Sequence, residues 1–252
     1  MQSSNPVLTR LGEAATRERA SGGYATDRFM SLDDVVVRTV GLVLLTAISA
    51  AASWNLLTTG PVVALAGFGS MFAGLILGLV ISFARITNPF VIGAYAVIEG
   101  VLLGMVSRYF ERAYEGIVVQ AVIGTLGVFV GMAVLYKMRV LRATPKFTRF
   151  VIGAMIGVAV LGLVNWVSAM VGHNLGLVQY GVSGSVGPVP IIFSLICIGV
   201  GALTFILDFD QVEQGVRYGL PQKYSWYCAF GLLVGLIFLY WQILRLLGYL
   251  RR

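Results

Sequence analysis

Seven apolar runs, each about long enough to cross a bilayer as a helix, occupy most of this chain and leave little else for it to fold into. They fall at 38–57, 62–84, 89–110, 117–137, 148–172, 188–209 and 225–247. A hydrocarbon layer of about 30 Å needs about 20 helical residues. Runs this continuous lack the alternation of a membrane barrel, and an open sheet edge cannot face lipid. The expected fold is therefore all-α, a polytopic bundle of seven transmembrane helices. The chain is 58% hydrophobic and only 12% charged, and its mean hydropathy of +0.88 excludes an ordinary soluble domain. Residues 1–37, with Arg10, Arg17, Arg19 and Arg28 balanced by Glu13, Glu18, Asp27, Asp33 and Asp34, read as a polar tail before a membrane domain at 38–252. The first apolar run is too long for a signal peptide and has no cleavage pattern after it, so it should stay in the mature chain.

Charge sets the expected orientation. With the N-terminus inside, thirteen of the 18 Lys and Arg fall on the inner side and five (Arg108, Arg112, Arg245, Arg251 and Arg252) on the outer. The positive-inside rule then places the N-terminus in the cytoplasm, with the C-terminal Arg pair a mild objection. The implied location is the plasma membrane, crossed seven times. The net charge of +7 is spread over short loops and tails, which argues against a nucleic-acid partner.

Several chemistries lack their residues. Cys197 and Cys228 lie in or beside apolar runs and read as reduced small hydrophobes. His173, the single histidine, sits in a glycine-rich outer loop and cannot build a zinc site alone. No nucleophile–base pair or phosphate-binding glycine loop marks an enzyme, and no lysine lies between Tyr224 and Arg252 to hold retinal. No resident cofactor is expected. Small residues four apart, at Gly74/Gly78, Gly100/Gly104, Gly127/Gly131, Gly153/Gly157 and Gly231/Gly235, predict close helix packing inside one bundle.

The remaining signal is polar residues at membrane depth. Glu99 falls near the middle of the third run, where an ionised carboxylate costs several kcal/mol unless protonated or partnered. Its alternatives are a functional acid facing the bundle and a structural one bonded near Asn165 or Thr204. Asp208 and Asp210 stand where the sixth run ends. They either mark an ion or proton route or merely the wetted end of a span. Two residues apart on a helix, they point about 200° from each other, so only one can enter a narrow pocket. Asp208, deeper and in line with Thr204, is the first candidate. Asp210 lies beside Gln211 and Glu213. In the last run Gln242 puts an amide among apolar residues, Arg245 is near enough to the end to snorkel, and Tyr240 and Trp241 suit packing and interface anchoring.

With these residues in view the chain resembles the Bax inhibitor family, also called the transmembrane BAX inhibitor motif family. The resemblance rests on the seven runs, Glu99-Gly-Val-Leu-Leu-Gly104, Leu207-Asp-Phe-Asp-Gln-Val212 and Phe230-Gly-Leu-Leu, and covers essentially the whole chain. It is closest to the actinobacterial-type branch, whose tails read like Ser4-Asn-Pro-Val-Leu-Thr-Arg-Leu11. The resemblance implies six helices around a central seventh, and a pH-sensitive calcium leak gated by an aspartate on span six and another on span seven. Asp208 matches the first. The second falls near Leu232 to Val234 by spacing, or on Gln242 by local pattern, and neither holds an acid. Asp210, Glu213 and Glu99 are the available substitutes. The family's arginine in the second span is also missing, since 62–84 contains no basic residue, which leaves Arg38 and Arg85 at the inner rim.

Three functions follow as expectations. The first is a passive cation leak, with calcium as the permeant ion meeting carboxylate oxygens transiently near Asp208 and no fixed metal site. The second is a non-conducting regulator that binds other membrane proteins, such as a membrane protease. The third is a proton-coupled transporter.

Overall fold

A computed structural model describes residues 28–56, 61–171, 175–179 and 186–252. The expected position of His173 and the tail charges before Arg28 lie outside them. Seven helices follow in order: α1 (Leu32–Leu56), α2 (Pro61–Ala84), α3 (Pro89–Ala113), α4 (Ile117–Lys137), α5 (Pro145–Met170), α6 (Pro188–Arg217) and α7 (Tyr224–Leu250). All seven are long and apolar enough to span a membrane, and the chain forms a seven-span all-α bundle.

Local chemistry sets the helix ends. Asn88 and Thr144 cap α3 and α5 by accepting from the amides of Phe90 and Phe147, with proline next in each case. At the side of the molecule where α2, α4 and α6 finish, three chains turn in the same way. Arg85, Arg139 and Gly219 take positive φ of 51°, 59° and 63°, and the next amide donates back across the turn, Ile86 to Ile81, Val140 to Leu135 and Leu220 to Gly215. Arginine occupies a left-handed position in two of these turns, at a cost of about 1 kcal/mol each that glycine avoids.

Two expected boundaries move. The first helix begins at Leu32, inside the polar stretch, because Ser31 caps it reciprocally with Asp34. The sixth helix does not end at 209 but runs unbroken to Arg217, carried past the apolar run by Val212 and Gly215, which are buried. Asp208 and Asp210 are therefore interior helix residues, not a frayed span end.

The core is built on α7. The most apolar stretch of α7 is 56% buried against 11% for α5, and α7 packs on α1, α3, α4 and α6. The seventh helix is central, as the resemblance implies, yet α2 and α5 stand outside this inner group. α2 packs along α3 and meets α7 through the Tyr227 hydroxyl, which donates to the Ser82 carbonyl at 3.2 Å; α5 packs along α6. The closest approach joins α1 to α3. Ser49 and Ser53 donate to the carbonyls of Val97 and Val101 at 2.7 and 3.1 Å, and a Cβ on Gly100 would come within 2.5 Å of the Thr46 carbonyl. Gly74 and Gly78 likewise receive α3 side chains, and Gly235 receives Phe205. Gly127, Gly131, Gly153 and Gly157 meet nothing within 4 Å and lie on exposed faces of α4 and α5, so those pairs do not pack within the bundle as expected.

The segment before α1 is strapped to the α6–α7 turn. Met30 donates its amide to the Leu220 carbonyl at 2.8 Å, Gln222 donates to the Arg28 carbonyl at 2.8 Å, and the Met30 side chain fills the space that Gly215 leaves open. Arg38 completes the joint, donating to the Gln222 carbonyl at 2.8 Å and lying 5.2 Å over the Trp226 ring.

Candidate functional site

α6 carries the acids, and its unbroken helix separates them as the 100° turn per residue requires. Asp210 opens into a cleft at the strap end of the bundle. Asp208 does not line it. Asp208 is partly buried at the α6–α7 seam, close enough to the Cys228 thiol of α7 to act on it electrostatically. Among the described residues it makes no hydrogen bond and no ion pair; the ion pair found there joins Arg217 to Glu213 at 2.6 Å. Neither substitute arginine pairs with it, for Arg38 is committed to Gln222 and Trp226 and Arg85 makes no ion pair among the described residues.

The cleft has a volume of about 1140 Å³ and lies between α1, the end of α4 with the following loop, and α6. On its α6 wall Asp210 accepts from the Gln214 amide at 2.5 Å, and Glu213 accepts from the Tyr136 hydroxyl at 2.5 Å and from Arg217. Lys137, Arg139 and Arg142 line the opposite side. Below them Phe129, Phe205, Phe209 and Tyr136 meet edge-on or tilted, with centroids 5.1 Å apart for Phe129–Phe205, 5.6 Å for Phe129–Phe209 and 5.7 Å for Tyr136–Phe209. This aromatic layer ties α4 to α6 and closes the cleft toward the core.

The other expected residues lie elsewhere. Glu99 does not face Asn165 or Thr204: its carboxylate presses on Gly74 of α2, beside the hydroxyl of Tyr95 one turn earlier. The reason is packing, since α3 touches neither α5 nor α6, and the Thr204 hydroxyl is spent on the Gly201 carbonyl of its own helix. Gln242 is buried and accepts from Arg245 at 2.9 Å. It stands ten residues beyond Leu232 on α7, about 15 Å along the axis. Leu232 is 5% exposed and lines the cleft, while Val234 is 37% exposed. Asp208, Asp210 and Glu213 thus share one end of α6, and Glu99 and Gln242 belong to other sites. Sequence reasoning missed Tyr136 and the aromatic layer, whose only trace in the chain is Phe205 and Phe209 four apart, and it read Lys137, Arg139 and Arg142 as topology signals alone.

A seven-span bundle with a buried last helix and an unpaired acid on the preceding one defines a multi-pass membrane protein. A family model described as Bax inhibitor 1 like matches residues 5–252, and the chain belongs to that family. Comparison with curated proteins gave no match.

Proposed function

We propose that this protein is a passive cation leak of the Bax-inhibitor type, with calcium as its permeant ion and Asp208 as the acid that controls passage. The supporting observation is Asp208 itself, a carboxylate at membrane depth at the α6–α7 seam with no hydrogen-bond or ion-pair partner among the described residues. An ionised acid in that setting costs free energy unless protonated, partnered or wetted, and such acids mark ion or proton routes. Calcium takes six to eight oxygen ligands in flexible geometry, so a carboxylate with free oxygens suits a passing ion better than one locked to arginine. Asp210 and Glu213 stand on the α6 wall of the cleft, each held by a neighbouring side chain, and the aromatic layer is the barrier between cleft and seam. Protonation of Asp208 removes its charge and makes the leak sensitive to pH. The protein acts without enzymatic chemistry or a resident cofactor, in a bacterial plasma membrane with its N-terminus in the cytoplasm.

A second reading, a non-conducting regulator bound to another membrane protein, is favoured by the lack of an acid both at Leu232 to Val234 and at Gln242, the two places where the resemblance puts the second aspartate. Calcium entry into dye-loaded proteoliposomes separates the two. The leak predicts flux above empty vesicles that Asp208→Asn alters. Folded protein in known orientation with no flux would support the regulator.

A further inference from the structure

The helices α1 and α4 flank α7 but do not pack on one another, and two cavities open between them. At the strap end it is the basic cleft. Farther along it becomes an apolar groove of about 350 Å³ walled by Ala47 and Ala50 of α1 and Val122 and Leu126 of α4, and floored by α7. Successive turns of the same helices line the two, Val40 then Val43 on α1 and Phe129 then Leu126 on α4, so the cavities follow one another along one furrow.

We propose that this furrow binds an anionic phospholipid, headgroup in the cleft and one acyl chain in the groove. The hydroxyls that line the apolar part are engaged: those of Thr46 and Thr125 bond to their own helices and that of Ser107 to Tyr240. An apolar groove of this kind suits a hydrocarbon chain. From Val36 in the cleft to Ala47 in the groove is eleven residues of α1, about 16 Å, close to the depth of one leaflet. The cleft supplies the complementary charge, with four basic residues against two acids. The acids are engaged on the α6 wall, Asp210 by Gln214 and Glu213 by Tyr136 and Arg217. Lys137, Arg139 and Arg142 make no side-chain hydrogen bond or ion pair among the described residues, although Arg139 lies within electrostatic range of Glu213. Arg139 also holds a left-handed turn that glycine would fill without strain, which sets its side chain at the cleft. A bound lipid would join α1 to α4 beside the aromatic layer.

The test is native mass spectrometry of the full chain released from membranes containing phosphatidylglycerol and phosphatidylcholine, which reads binding and not flux. Wild type should retain one phosphatidylglycerol in preference to phosphatidylcholine. The triple change Lys137→Gln, Arg139→Gln, Arg142→Gln should weaken that preference about tenfold or more, and Ala47→Phe should reduce retention of both lipids. All four positions are exposed, so folding should survive, and thermal melting checks it. Equal retention of the two lipids by wild type, or a triple variant with undiminished preference, overturns the proposal. Competition by glycerophosphate as effective as by intact lipid would also overturn it, leaving a phosphate pocket.

Discussion

Single side chains here divide between those that fasten the bundle and those that no described group holds. Arg38 is of the first kind, bonded to the Gln222 carbonyl and stacked over Trp226, and it holds the strap against the α6–α7 turn. Arg38→Ala should lower stability by about 1–2 kcal/mol, read as a lower unfolding midpoint in detergent; an unchanged midpoint would mean that the joint is not fastened there. Asp208 is of the second kind. Since no described group holds it by a hydrogen bond or ion pair, Asp208→Asn should leave the unfolding midpoint at or above that of wild type, because it removes a charge without removing a bond. A marked loss of stability would reveal a partner that this account denies.

Pairs of helices show where small residues decide packing and where they do not. A side chain at Gly104 would collide with the backbone of Ala50, and Ser53 crowds the same point. Gly104→Val should therefore force α1 from α3 and cost about 3 kcal/mol or more, whereas Gly153→Val, with nothing within 4 Å, should melt like wild type. Equal effects would contradict the assigned interface. The glycine spacing was equally visible in both places, and sequence could not tell them apart, because spacing fixes a face of the helix but not what lies opposite. The same limit explains Glu99: its depth follows from the apolar run around it, while its neighbour Gly74 depends on which helices meet. Helix existence was legible because about 20 apolar residues have one solution in lipid. The length of α6 was not, since hydropathy stops at 209 and the last two turns are held by tertiary contacts of Val212 and Gly215.

For the molecule as a whole, the bundle gathers Asp208, a charged vestibule and an aromatic barrier at a single end of α6, next to the strap. Asp208 and the 200° separation from Asp210 could be read from the chain; the vestibule's basic wall could not, because its residues come from a loop whose position is set by α4 and α5. Leu232→Asp would put an acid at one of the positions to which the family's spacing points, inside the cleft with Asp210 and Glu213. It should raise calcium flux and strengthen its pH dependence; an unchanged flux would detach that position from conduction. The most direct measurement is calcium flux in proteoliposomes across a range of pH, wild type beside Asp208→Asn. The account predicts a wild-type leak that falls as pH is lowered and the carboxylate takes up a proton, and a variant whose flux no longer varies over the same range. A variant that keeps the full wild-type pH profile would contradict it.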